Sequence, residues 1–390
     1  MQQFVLQSRT LCECVVIILI AAGSVCAEEM IRINSDHVSR HINTLASPEY
    51  RGRRGSDAQR AAEYVVDHFS RAGLQPVFPE QSFLQTIPGP RTAENLPTVA
   101  GWNVTGMLTP PHATRPDEYI LLAAHHDHLG VKESGIYAGA DDNASGVAMV
   151  LEAIPFLQQH INSLDCSVLF VSFDLEEHLL FGSRWWTAHP PVELEKIRLV
   201  IVADMLGRSL GDLPLNSVFL FGAEHTQGLK QEIRQIPWHN IRTSLLSDDY
   251  VGLRSDYGPF RDRKIPFLFA STGQSRDYHT IRDVPERINH QQVASITEGL
   301  CRLIVAVSQK PCKPIWVDHP QTDQEEVQAV LEICNQIDQH AEEWNLTPIQ
   351  RFFVSQATAE ATRLSQQETI SSSDQQRLTR LTQMLLLTVF

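Results

Sequence analysis

The chain has 390 residues, 43% of them hydrophobic and 20% charged, with a formal net charge of −14. These values suit one large globular domain with an appendage, or two domains. The acidic balance, with no basic patch, argues against nucleic acid as a partner. It leaves room for a site whose own carboxylates hold cations.

The first residues have the shape of a secretory signal. Arg9 precedes a short apolar run at 15–22, and Val25-Cys26-Ala27 is a small-x-small cleavage pattern that places the cut before Glu28. The run is too short to cross a bilayer easily. The mature chain is therefore expected to have no stable membrane span and to be secreted or periplasmic. Removing 1–27 leaves Cys166, Cys301, Cys312 and Cys334. Cys301 and Cys312 flank a helix end and could pair in an oxidising compartment. No Cys-x-x-Cys occurs, so a thiolate zinc site has no support.

Residues 34–48 and 56–73 read as helices. In the second, Ala61, Ala62, Val65, Val66 and Phe69 recur at helical spacing, and Gly73 ends it. Residues 76–100, rich in Pro and polar residues, read as loop with at most one short strand. Strands are then expected at 119–124, 167–173, 200–203, 218–221 and 266–270. A helix is expected at 147–157, with Val147, Val150, Leu151 and Ile154 on one side. Apolar strands alternating with helices point to an α/β sheet covered on both faces. Sites in such sheets sit at the carboxyl ends of strands.

From about 315 the composition turns to Gln, Glu and Ser, and strand patterns vanish. Val327, Val330, Leu331, Cys334 and Ile337 form a helical stripe. Thr347-Pro348 reads as a helix start, and a third helix begins near Ser373. The expected organisation is a signal at 1–27, a catalytic domain at 28–314 and an all-helical C-terminal extension at 315–390.

Five short segments carry metal-ligand chemistry, in the order Ala-His-His-Asp-His-Leu-Gly from 124, Gly-Ala-Asp-Asp-Asn-Ala-Ser-Gly from 139, Phe-Asp-Leu-Glu-Glu from 173, Val-Ala-Asp-Met from 202 and Asp-Tyr-His from 277. His125 and Asp127 lie two apart at a strand end, so alternation points both the same way. That suits a histidine oriented by a carboxylate, or two direct ligands. His126 points away and His128 lies further along. Asp141 and Asp142 precede a helix among small residues, which suits either a cap or a close approach to an ion. Glu176 and Glu177 should repel each other unless a cation lies between them, or one is a base and the other a ligand. Asp204 ends a wholly apolar strand and needs a partner. His279 lies in a polar loop.

The ordered set closely resembles the M28 family of zinc peptidases, the group containing leucyl-type aminopeptidases. The resemblance covers roughly residues 35–310. It includes Leu45-Ala46-Ser47 through Arg51-Gly52-Arg53, the run from Ser255 to Phe260, and Thr272-Gly273. It implies a mixed, mostly parallel central sheet with helices on both faces. It also implies a dizinc aminopeptidase acting on peptide substrates. One zinc would be held by His125, Asp142 and Asp204, the other by Asp142, Glu177 and His279. Asp127 would orient His125. Glu176 would be the general base for a metal-bridging hydroxide. A cis peptide would follow Asp142.

The sequence departs from the pattern at Ala203, where Asn is common, and at His178, where Gly is common. No tyrosine is assigned to an oxyanion; Gly252 lies nearest that place, with Tyr250 two residues before it. The alternatives are a glutaminyl-cyclase-like acyltransferase with a single zinc, and a receptor-like binding module without catalysis. Tyr278 stands where the cyclases have Trp, and no ligand is missing.

Overall fold

A computed structural model describes residues 32–389 except 93 and 96. The expected signal at 1–27 lies outside them. α1 (Ser35–Leu45) starts after Asn34, whose side chain accepts the amide of Asp36 at 2.8 Å. α2 (Ser56–Arg71) buries Ala58, Ala61, Ala62, Val65 and Phe69, one stripe of an amphipathic helix. The chain then passes through β1 (Gln75–Pro76), β2 (Leu84–Gly89), β3 (Thr98–Leu108) and β4 (Arg115–His125). A small hairpin, β5 (Gly130–Lys132) and β6 (Gly135–Tyr137), leads to α3 (Gly146–Gln159).

The second half continues with β7 (Cys166–Phe173), α4 (Phe181–Ala188), β8 (Ile197–Ala203) and β9 (Ser217–Phe221). After these come α5 (Leu229–Gln235), β10 (Arg242–Leu246), α6 (Gly258–Arg261), β11 (Phe267–Ser271) and α7 (His290–Ser308). Three helices close the chain: α8 (Gln324–Gln339), α9 (Pro348–Ser365) and α10 (Ser372–Val389).

Nine strands form one mixed sheet in the order β1-β3-β7-β4-β8-β11-β9-β10, with β2 paired to β3. β7, β4, β8 and β11 run parallel, so their carboxyl ends share one edge. Pleating splits the core in two. Ile120, Leu122 and Ala124 of β4 join the apolar faces of α1, α2, α3 and α7. Leu121 and Ala123 join those of α4, α6 and the three C-terminal helices.

Most of the expected elements are present; residues 76–100, expected as loop with at most one short strand, hold β2 and also the start of the long β3. The eleven-residue β3 was hidden because Gly101, Asn103, Thr105 and Gly106 break its apolar pattern. Tertiary partners satisfy the polar members. Asn103 Nδ2 donates to Gln85 Oε1 and to the Gly182 carbonyl, both at 2.9 Å, and Trp186 Nε1 donates to Thr105 Oγ1 at 3.1 Å. Cys301 and Cys312 are free thiols, the first buried and the second exposed. Among the described residues no helix is long and apolar enough to cross a membrane.

Candidate metal centre

The shared edge of the parallel strands gathers the five segments. His125 is the last residue of β4, and Asp204 directly follows β8. Glu176 and Glu177 follow β7, and His279 lies in the loop after β11. Asp142 sits in the turn that enters α3, and its peptide bond to Asn143 is cis.

The donors form two groups around Asp142. His125 Nε2 lies 3.4 Å from Asp142 Oδ1 and 3.4 Å from Asp204 Oδ1. His279 Nε2 lies 3.1 Å from Asp142 Oδ2 and 3.2 Å from Glu177 Oε1. Glu176 offers an oxygen within 4.8 Å of ligand atoms of His125 and Asp204. Asp127 stands behind them. Its Oδ1 lies 3.5 Å from His125 Nδ1 and accepts the Glu176 amide at 3.0 Å, while Oδ2 accepts the Glu177 amide at 3.4 Å. One carboxylate thus touches the first segment and positions the third.

Burial opposes charge on Asp142, yet His128, His125 and His279 hold its carboxyl well below the ordinary range. Burial and Asp142 oppose charge on Glu177, but His128 and His279 bring it down to about 2. Burial, reinforced by Asp204, Asp256 and Asp142, pushes Glu176 well above its ordinary 4.5 against the pull of His125. The two adjacent glutamates therefore diverge: burial favours the neutral form of Glu176, while the histidines favour the charged form of Glu177.

Two residues that the sequence did not single out belong here. His128, fully buried, places Nδ1 2.9 Å from Glu177 Oε1 and 3.7 Å from Asp142 Oδ2. Alternation could not place it, because β4 ends at His125 and the chain turns. A third histidine within four residues was the only signal. Asp283 accepts the amides of Asp141 at 2.9 Å and Asp142 at 3.1 Å, fixing the turn that presents Asp142. His126 does point away, bonded to Ser172 Oγ at 2.9 Å. Tyr250 gives its hydroxyl to Glu326 at 2.7 Å.

Arg53 locks the loops beneath the centre. Fully buried, it donates to the carbonyls of His126, Leu45, Ala138 and Gly139 at 2.6–2.8 Å. The preceding Gly52 has φ +70°, and a Cβ there would strike the carbonyl oxygens of Tyr137 and Gly130. A side chain at that point would force apart the turn that delivers Arg53.

The donor set fits zinc. Tetrahedral sites with bonds of roughly 2.0–2.2 Å put neighbouring N and O donors roughly 3.3–3.6 Å apart, and the spacings above are 3.4 Å in the first group and 2.9–3.7 Å in the second. His128 Nδ1, His279 Nε2 and Glu177 Oε1 are buried and close, yet none is aligned for a hydrogen bond. Buried donors that crowd together without bonding one another suit ligands of one cation.

The family model for peptidase family M28 matches residues 103–304, over half of the chain. The chain belongs to peptidase family M28. This M28 chain is 24% identical to the Escherichia coli (strain K12) protein YfbL over 279 residues, covering 63% of this chain and 79% of that one. It is 26% identical over 227 residues to a glutaminyl-peptide cyclotransferase of the snake Boiga dendrophila, covering 47% of this chain. The match spans 60% of that relative's length. Its fold resembles a zinc aminopeptidase from Bacillus subtilis, with TM-score 0.54, 14% identity and coverage of 73% of this chain and 98% of that one. It also resembles a Bacteroides thetaiotaomicron glutaminyl cyclase bound to N-acetylhistamine, with TM-score 0.55, 16% identity and coverage of 70% and 98%. The M28 fold therefore hosts both chemistries among this chain's structural neighbours.

Proposed function

We propose that the protein is a dizinc aminopeptidase that removes N-terminal residues from peptides. The carrying observation is that Asp142 turns one carboxylate oxygen toward His125 and the other toward His279. A shared carboxylate between two donor groups suits a bridge between two ions. His125, Asp142 and Asp204 would hold one zinc, and Asp142, Glu177 and His279 the other. Zinc bound here would supply Lewis acidity and lower the pKa of water.

Glu176 is the general base on this reading. It takes a proton from the attacking water and passes it to the leaving amine nitrogen. Burial raises its affinity for a proton, and cations bound beside it would lower that affinity again, so that it could both take up and release one. Asp127 is a positioning residue, because it acts through His125 and the 176–177 backbone. The substrate's free amine would lie near one metal and its carboxylates, which favours exopeptidase action. Residues 28–314 carry this machinery, 315–390 form an extension, and removal of 1–27 accompanies secretion or transfer to the periplasm.

The second reading is a glutaminyl cyclase with one zinc, favoured by the match to the snake cyclotransferase. One panel separates the two. Peptides with free and acetylated N-termini, and peptides beginning with glutamine, are incubated with protein of measured zinc content. Release of the first residue from free N-termini alone, at two zinc per chain and abolished in Glu176→Gln, is expected. Cyclisation of N-terminal glutamine without hydrolysis, at one zinc per chain, would replace this reading with the second.

A further inference from the structure

A cavity of about 350 Å³ adjoins the candidate centre, with Glu176 and Asp204 in its wall. That is within the roughly 300–1,000 Å³ span of small-molecule sites. Phe219 of β9 and Phe269 of β11 line it from the sheet. The C-terminal helices supply another part of the wall, with Ile333 from α8 and Leu386 from α10. Both are only partly buried, although their helices contribute to the second core.

We infer that α8 and α10 form part of the pocket for the side chain of the substrate's N-terminal residue, and that this pocket selects large apolar side chains. The inference rests on the aminopeptidase reading. A carbonyl reacting beside Glu176 and Asp204 leaves the side chain of the same residue next to this cavity. The lining is mostly apolar. Tyr250, which borders it, has its hydroxyl committed to Glu326. Thr382, Ser271, Gln274 and Tyr278 add neutral polar groups, of which Ser271 Oγ already accepts the Gly273 amide, and neutral groups alone do not balance a buried charge. Arg254, exposed at the border, opposes a cationic side chain. Leucyl, methionyl and phenylalanyl residues therefore match it, and lysyl and glutamyl residues do not.

The extension thus becomes a specificity element. A methylene gained or lost in such a pocket changes selectivity by roughly 10–200-fold, so residues on two separate helices should each reset it. The test uses zinc-loaded full-length protein with aminoacyl p-nitroanilides of Ala, Leu, Phe, Lys and Glu. Calorimetric binding of free phenylalanine and alanine runs alongside. Ile333→Trp and Leu386→Trp fill the cavity from different helices, and circular dichroism reports their folding.

Wild type is expected to favour Phe and Leu, and each filled variant to lower the Phe-to-Ala ratio of kcat/KM at least tenfold. If no p-nitroanilide is cleaved but phenylalanine binds and either filled variant loses it, the peptidase reading falls and the pocket stands. If the folded variants of both helices cleave with the wild-type preference, or if Lys or Glu is preferred, the inference is wrong while the peptidase reading stands.

Discussion

The imidazole of His128 lies with Nδ1 2.9 Å from Oε1 of Glu177, without the alignment of a hydrogen bond. Glu177 Oε1 is also 3.2 Å from His279 Nε2. Two histidines thus converge on one carboxylate oxygen on the same side of the centre. If a zinc sits there, His128 is a further protein donor beside Asp142, Glu177 and His279. His128→Ala and His128→Asn are expected to lose one zinc at chelator concentrations that leave the wild type loaded, read by elemental analysis. Cobalt-substituted protein should show a changed visible spectrum. Equal metal retention and identical spectra would remove His128 from the ligand set.

Asp127 contacts His125 and both glutamate amides, so its two oxygens are not interchangeable with an amide. In Asp127→Asn, one NH₂ must face either an imidazole nitrogen or a backbone N–H. Groups that orient metal ligands are worth roughly 10–100-fold in affinity or activity. A drop of that size is expected in zinc affinity or kcat, with circular dichroism unchanged. A variant matching wild type in both would show that Asp127 serves the backbone alone.

Arg53 is expected to be a large single contributor to stability. Arg53→Met leaves several buried carbonyls without donors, each costing about 1–3 kcal/mol. Lysine cannot replace it, because one ammonium cannot reproduce the planar fork. Urea unfolding should therefore show losses of about 3 kcal/mol or more for both variants. A loss under about 1 kcal/mol in Arg53→Lys would mean the loops beneath the centre do not need the fork.

Glu326 gives a pH-dependent prediction. It lies on α8, buried, accepts the Tyr250 hydroxyl, and burial pushes it up to about 7 from an ordinary 4.5. Between those values the folded chain keeps a proton that the unfolded chain has released. The contribution is therefore fully present below pH 4.5 and falls as pH rises through 7. The whole effect amounts to about 3 kcal/mol. Glu326→Gln should gain stability relative to wild type between pH 5 and pH 8. A stability difference that stays constant across that range would contradict the assignment.

Within the sequence, the ordered donors were legible because, His279 in its polar loop apart, each stands at or just past the end of an apolar strand or at the start of a helix. β4, β7, β8 and β11 could be read from continuous Val, Ile, Leu, Phe and Ala runs, which only a sheet covered on both faces can bury. The Thr347 cap was equally plain, and the structure gives it a full reciprocal bond pair with Gln350. β3 was not, since its Asn103 and Thr105 are satisfied only by residues far along the chain.

Local pattern determined the apolar strands β4, β7, β8, β9 and β11, the Thr347 cap and the identity of five donor segments, because those depend on neighbours a few residues away. Tertiary structure alone decided that His128 meets Glu177, that Asp283 holds the Asp142 turn, and that α8 and α10 wall the cavity beside the centre. Each of these joins residues dozens to hundreds of positions apart. Periodicity carries no information about such a meeting; it follows from the strand order and from which face of the sheet each helix covers.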